Sequence, residues 1–389
     1  MKSSKPRSSS GLGRRPLTAV TRVQIPYGVQ RYTKHKPSPV IGWRLLLFRA
    51  CLYIAYPSTA ALDFPSPSIE TMKHSKLVCI GLGHVGSYVL TYAMESGLFA
   101  EIATIDTAPG VAHGEALDQS QSTGVPGTDY VNVHAGDYSD CADADMIIVA
   151  AGASILPDPD DPDSRPDRAG LAKLSGQVVR DVMPGIVKHT RDAIVLFITN
   201  PLDAVVHLAH TEFDYPAEKL FGTGTMLDSA RLRWVVAKQL GIDPKSVTGY
   251  MMGEHGLTAV PILSTLNVQG VRWTELEKWH GTPLPSPQEI QDAVVGAAYD
   301  VLNAKGWTNA GVARSALEIA RAVMLDQNSV HPVCTRLDGE YGLPDVSLSM
   351  PAVIGRSGII RRMPPQLNSW ELERLRESAQ YILSTVENM

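Results

Sequence analysis

The chain has 389 residues, 44% of them hydrophobic and 19% charged, an ordinary globular balance with room for two domains. No run reaches the roughly 18 uninterrupted apolar residues that a membrane-spanning helix needs. The four cysteines, Cys51, Cys79, Cys141 and Cys334, are scattered with no CxxC pair or His/Cys cluster, which argues against a disulfide framework or a metal site and for a reducing, cytoplasmic setting. The net charge of −5 is lopsided: residues 1–71 carry eleven Lys/Arg against Asp63 and Glu70, and the remainder holds 24 basic and 38 acidic residues. A body that acidic repels phosphates, so nucleic acid is not an expected partner, and neither is a membrane.

In chain order, residues 1–71 are rich in Ser, Pro and Arg and show no sustained periodicity. Three readings stand: a transit peptide, a disordered extension, or a chain begun upstream of a working initiator at Met72. The third is favoured, because ordered patterning begins directly after Met72. Lys76 to Ile80 reads as a short apolar strand running into Gly81-Leu82-Gly83-His84-Val85-Gly86, followed by a helix with Val85, Val89, Leu90, Ala93 and Met94 on its inner face. The next strand, Phe99 to Ile105, ends at Asp106. Strand, glycine turn, helix, strand and acid together form the context a dinucleotide site requires. The first glycine permits a tight turn, the second lets a pyrophosphate approach the backbone, and the third packs helix on sheet. The helix N-terminus offers N–H donors to the phosphates. Asp106 would hold the ribose hydroxyls and repel a 2′-phosphate, favouring NAD over NADP.

A buried strand from Asp145 to Ala151 ends at Gly152-Ala153, at the carboxyl edge where open α/β sheets bind ligands. Ser154 to Arg168 carries four prolines and five aspartates, which predicts an exposed, non-helical lid. A helix over 169–188 leads to a strand over 193–199 and then to Asn200-Pro201-Leu202-Asp203, where Asn200 either reaches a ligand or simply starts a turn. Leu227 to Leu240 is helical, with Asp228 and Arg231 on one face. A strand over Val247 to Met252 enters Gly253-Glu254-His255-Gly256. A lone loop histidine is usually structural, and flanking glycines only allow close approach. Ser286-Pro287-Gln288-Glu289 is a capping box, and Gly306 closes the helix it starts. A helix over Ala310 to Leu325, strands at 333–335 and 347–353, and an amphipathic helix over 369–387 complete the chain. The expected fold is a Rossmann-type doubly wound parallel sheet over 72–220, followed by an α+β substrate domain over 221–389.

Residues 72–389 resemble the L-lactate/malate dehydrogenase superfamily. Four signatures carry the resemblance in the family's order: Gly81-x-Gly83-x-x-Gly86 with Asp106, Asn200-Pro201-x-Asp203, Leu227-Asp228-Ser229-Ala230-Arg231, and Gly253-Glu254-His255-Gly256. The resemblance implies NAD as cofactor, bound by Gly81, Gly83, Val85, Gly86, Asp106, Gly152, Ala153 and Asn200. It implies that His255 exchanges a proton with the substrate oxygen, that Asp228 orients it, and that Arg168 polarises the carbonyl under a closed lid. Arg231 would clamp the substrate carboxylate, with Asn200, Ile155 and Thr308 completing the pocket. It further implies a small 2-oxo or 2-hydroxy acid as substrate and a homodimer or homotetramer.

The departures from the family bear on the substrate. Malate enzymes place Arg, and lactate enzymes Gln, where Ile155 stands, and the aspartate-rich lid would repel a second carboxylate. Residues 167–173 and 305–326 look most like L-2-hydroxyisocaproate dehydrogenases, so a monocarboxylic 2-oxo acid is expected, with malate chemistry or a non-catalytic NAD-binding role as alternatives. Leu257-Thr258 replaces the family's acid and hydroxyl residue. Arg233 matches one member of the basic pair that binds fructose bisphosphate in activated relatives, but Thr248 replaces the other, so no such activation is expected.

Overall fold

The computed structural model describes residues 75–152 and 168–389. The basic leader and most of the lid, with Ala153 and Ile155, lie outside the described residues.

The strands are β1 (Lys76–Ile80), β2 (Glu101–Ile105), β3 (Asn132–Ala135), β4 (Met146–Val149), β5 (Ile194–Phe197), β6 (Leu220–Gly222), β7 (Val247–Thr248), β8 (Met251–Met252), β9 (Val260–Pro261), β10 (Asn267–Val268), β11 (Val271–Arg272), β12 (Ser329–Arg336), β13 (Ser347–Gly355) and β14 (Gly358–Arg362). The helices are α1 (Gly86–Glu95), α2 (Pro109–Ser122), α3 (Arg168–His189), α4 (Leu202–Glu212), α5 (Met226–Leu240), α6 (Trp273–His280), α7 (Pro287–Lys305), α8 (Ala310–Met324) and α9 (Ser369–Val386).

Six parallel strands run in the order β3-β2-β1-β4-β5-β6. The order reverses between β1 and β4, and that reversal opens a crevice at the strands' carboxyl ends. Successive residues of a strand point to opposite faces, and here both faces are covered. Leu77, Ile102, Met146, Ile148 and Leu196 pack with α1 and α8 on one side. Val78, Ala103, Ile147, Val149 and Phe197 pack with α3 and α4 on the other. This explains why the central strands β4 and β5 read as continuous apolar runs with no alternation. Each fully buried Leu, Ile or Phe contributes about 1.5–3 kcal/mol of transfer free energy, and truncating Ile148 to Ala would cost about 2–5 kcal/mol.

The doubly wound expectation holds, with an addition. Antiparallel β12, β13 and β14 do not form a separate sheet. They extend the main one to nine strands through a Cys334–Gly222 pairing of β12 with β6. One expected element is corrected. The stretch 247–252 is two short strands: β7 joins β10 and β11, and β8 pairs with β9. Gly249 and Tyr250 interrupt the run and let it change sheets. Two smaller clusters complete the core: α9 packs over β13, and α5 packs against α7.

Lys76 ties β1 to its neighbours. Its ammonium lies 3.1 Å from Glu101, 3.0 Å from Asp140 and 2.8 Å from Asp143. Glu101, Asp140 and His134 would have the spacing of metal ligands, but the lysine already supplies the positive charge that the carboxylates need.

Candidate active site

The glycine turn is built as its spacing requires. Gly81 sits at φ +90°, and a side chain there would strike the backbone of Ala151 at the end of β4. A Cβ on Gly86 would run into the Gly81 carbonyl, whereas one on Gly83 would meet open space. The turn is therefore closed on its sheet side and open at Gly83, just ahead of the N-terminus of α1, where the helix dipole favours an anion. Asp106 braces this turn: one carboxylate oxygen accepts the Leu82 N–H at 2.8 Å and the other accepts the Ala108 N–H at 2.9 Å. Gly152 is exposed just beyond the neighbouring β4, and a Cβ added there would lie 3.0 Å from the Thr199 side chain.

His255 is placed by two elements. Gly253, at φ +90°, exchanges backbone hydrogen bonds of 2.9 Å with Ser349 of β13, and a side chain there would collide with Ser378 of α9. The first turn of α5 is held to the same region by hydroxyls. Thr225 donates to the Met251 carbonyl at 2.7 Å, and Ser229 accepts the Met251 N–H at 2.9 Å. This fixes Asp228 opposite His255. The His255 Nδ1–H donates to Asp228 Oδ2 at 2.5 Å, and Arg231 donates to Asp228 Oδ1 at 3.0 Å.

Asp228 is buried and His255 largely so. Burial penalises the imidazolium, but the charge and hydrogen bond of Asp228, with the charge of Asp203, outweigh it and raise the His255 pKa to about 9. Burial pushes the Asp228 carboxyl upward too, yet His255 and Arg231 together hold it below its ordinary value.

A pocket opens beside this pair, lined by Val85, Ile198, Asn200, Thr223, Gly224, Leu227, His255, Thr308, Val312 and Ser315. Four expected site residues, Val85, Asn200, His255 and Thr308, thus meet at one place. Arg231 is next to them through Asp228 and is not in the lining. The glycine turn adjoins the pocket through Val85. Arg168 opens α3, but its side chain lies outside the described residues.

Ile198, Thr223, Gly224, Leu227, Val312 and Ser315 were not singled out from the sequence. Ile198, Thr223 and Gly224 directly follow β5 and β6, so the rule that ligands gather at the carboxyl ends of parallel strands could have found them. His84 of the glycine turn stacks on Trp307, with ring centroids 4.1 Å apart, and ties the turn to the segment carrying Thr308.

Comparison with known proteins agrees with this geometry. Residues 75–222 match the lactate/malate dehydrogenase NAD binding domain, and residues 225–389 match the lactate/malate dehydrogenase alpha/beta C-terminal domain. The chain belongs to the lactate/malate dehydrogenase family. It is accordingly an NAD-dependent oxidoreductase acting on a CH–OH group. It is 37% identical over 316 residues to L-lactate dehydrogenase 2 of Clostridium acetobutylicum, covering 81% of this chain and 97% of that protein. It is 38% identical to L-lactate dehydrogenase of Selenomonas ruminantium, covering 80% and 97%. Among solved structures, the minor L-lactate dehydrogenase of Enterococcus mundtii superposes with a TM-score of 0.75 at 29% identity, covering 82% of this chain and 99% of that one. Malate dehydrogenase of Cryptosporidium parvum gives 0.74 at 26% identity, covering 81% and 98%.

Proposed function

We propose that the chain is an L-2-hydroxy-acid dehydrogenase that interconverts a 2-oxo monocarboxylic acid, of pyruvate or 2-oxoisocaproate type, with its 2-hydroxy acid. The observation that carries this reading is the lining of the His255 pocket. Val85, Ile198, Leu227 and Val312 are apolar, Asn200, Thr223, Thr308 and Ser315 are neutral, and His255 is its only basic side chain among the described residues. Among the described lining residues a second substrate carboxylate finds no cationic partner, and burying it unpaired would cost several kcal/mol.

The residues fit NAD: a turn open at Gly83 admits a pyrophosphate against the backbone, and Asp106 sits beside that turn for the ribose. When bound, the reduced cofactor supplies the hydride. The chain supplies the proton. With Nδ1–H committed to Asp228, His255 keeps Nε2 for the substrate oxygen and takes the proton back in the oxidative direction. General acid–base transfer of this kind contributes about 10²–10⁴-fold. Arg231 has guanidinium N–H groups beyond the one on Asp228, and these form the fork that receives the substrate carboxylate. Asn200 and Thr308 line the same space and orient the carbonyl and its side chain. Arg168, at the start of α3 beyond the lid, is the proposed carbonyl-polarising group, and Ile155 the proposed contact to the substrate side chain.

The matched ranges support a division into a cofactor half over 72–220 and a substrate half over 221–389. Exposed Leu174 on α3 and Trp234 on α5 support self-association as a homodimer or homotetramer. The free, buried cysteines Cys79, Cys141 and Cys334 support a reducing cytoplasmic setting. Among the described residues no helix is long and apolar enough to cross a membrane.

The test is NADH consumption with pyruvate, 2-oxoisocaproate and oxaloacetate in parallel. Either monocarboxylate should lead, and fastest turnover of oxaloacetate would overturn the substrate reading. H255N should abolish turnover and retain NADH binding; undiminished turnover would refute the proton role.

A further inference from the structure

The glycine turn and the segment joining α7 to α8 lie far apart in the sequence, and a pair of rings brings them together. The His84 imidazole, exposed on the turn, lies flat on the half-buried indole of Trp307, with centroids 4.1 Å apart and planes inclined by 2°. Neither ring lines the pocket, but each is followed by a residue that does: Val85 after His84, and Thr308 after Trp307. Among the described residues, the segment's hydrogen bonds stay within its own two helices. The Gly306 N–H donates to the Leu302 carbonyl at 2.8 Å. Lys305 donates to the Asn309 side-chain oxygen at 2.7 Å, and that oxygen caps α8 by accepting the Ala310 N–H at 2.8 Å. Gly306 bends at φ +84° with open space where a side chain would stand, so nothing braces the bend from that side. The ring stack is what ties the segment to the glycine turn.

We propose that Trp307 is a specificity-determining positioning residue: resting on His84, it sets how far Thr308 stands into the pocket, and so how large a side chain the 2-oxo acid can carry. This deepens the substrate reading above and rests on it. A methylene more or less in an apolar pocket shifts selectivity by about 10- to 200-fold. A wall that loses even part of its support therefore changes the choice of acid, in favour of the larger one.

The experiment compares the full-length protein with H84A, H84F and W307A. The ratio of kcat/KM for 2-oxoisocaproate to that for pyruvate is measured at saturating NADH, which separates it from any change in cofactor affinity. Hydrogen exchange of the 306–309 amides is followed without substrate. H84A and W307A should each raise the ratio about two- to tenfold, the span an aromatic pair contributes, and quicken exchange over 306–309. H84F keeps a ring on the indole and should hold both near the unaltered protein. H84A leaves every pocket side chain in place, so it decides the matter if W307A does not fold. A folded H84A with an unmoved ratio would overturn the inference even if its melting temperature fell, because packing alone would do that. H84A and H84F shifting alike would overturn it too. If the unaltered protein reduces neither acid, the proposed function falls; faster exchange in H84A then leaves the stack standing as the segment's support, and unchanged exchange removes it as well.

Discussion

Replacing Asp228 by Asn isolates the 2.5 Å contact with His255. The imidazole titrates at about 9 against an ordinary 6.5, which corresponds to about 3 kcal/mol in favour of the charged ring. Burial works the other way, and the largest opposing influence is the Asp228 charge. In D228N the ring therefore returns towards its ordinary value. At about pH 7.5 the protonated fraction drops from nearly all to about one tenth, so reduction slows at least about tenfold from protonation alone. The alkaline limit of reduction moves from near 9 towards 6.5, while 2-hydroxy acid oxidation, which needs the neutral ring, loses its alkaline rise. Stability follows the same sign. Because folding raises this pKa, the ion pair contributes fully below pH 6.5, and the contribution is lost as pH climbs through about 9. The assay is NADH absorbance in both directions between pH 5.5 and 10, with melting curves at the same values. A D228N reduction profile with its alkaline limit unmoved would refute the assignment of the shift to this pair.

The glycine turn separates two effects of the same substitution. G83A, with open space for its methyl group, should fold normally but bind NADH more weakly, whereas G86A would press on the Gly81 carbonyl and lower the melting temperature as well; fluorescence titration and calorimetry check both. S229A strips the buried Met251 N–H of its acceptor and should destabilise the protein by about 1–3 kcal/mol in denaturant titration. R231K should raise KM for the 2-oxo acid by about ten- to a hundredfold, because an ammonium cannot hold a carboxylate as a fork; an unchanged KM would remove Arg231 from the substrate.

The sheet's parallel half was legible because both faces are buried, so β4 and β5 read as unbroken apolar runs and β1 and β2 as mostly apolar ones. The proposed proton-transfer pair was legible because its motif spacing is rigid: Asp228 and Arg231 share a helix face, and glycines flank the Glu254-His255 step. β6 was not, since three residues leave no periodic signal. Nor was α4. Its helix is buried on nearly every side and includes His207 and His210, whose imidazoles burial drives towards the neutral form, so no polar stripe marks it. The joining of β12 to β6 also escaped, because backbone pairing across more than a hundred residues leaves no mark on either segment's composition. The meeting of Asp203 with the His255 N–H escaped for the same reason: the sequence shows an acid in a turn motif, and only the folded chain brings it under the histidine.

The Cys334–Gly222 pairing has a consequence for how this molecule can be divided. The boundary between the cofactor-binding and C-terminal family matches falls immediately after β6, inside a continuous sheet. Cutting the chain there would not release two modules. The first piece would end in β6 with its outer edge bare, and the second would carry β12 with no neighbour on its inner side. Unpaired strand edges of that kind recruit other chains. Separately expressed halves are therefore expected to aggregate, or to regain solubility only when mixed and refolded together.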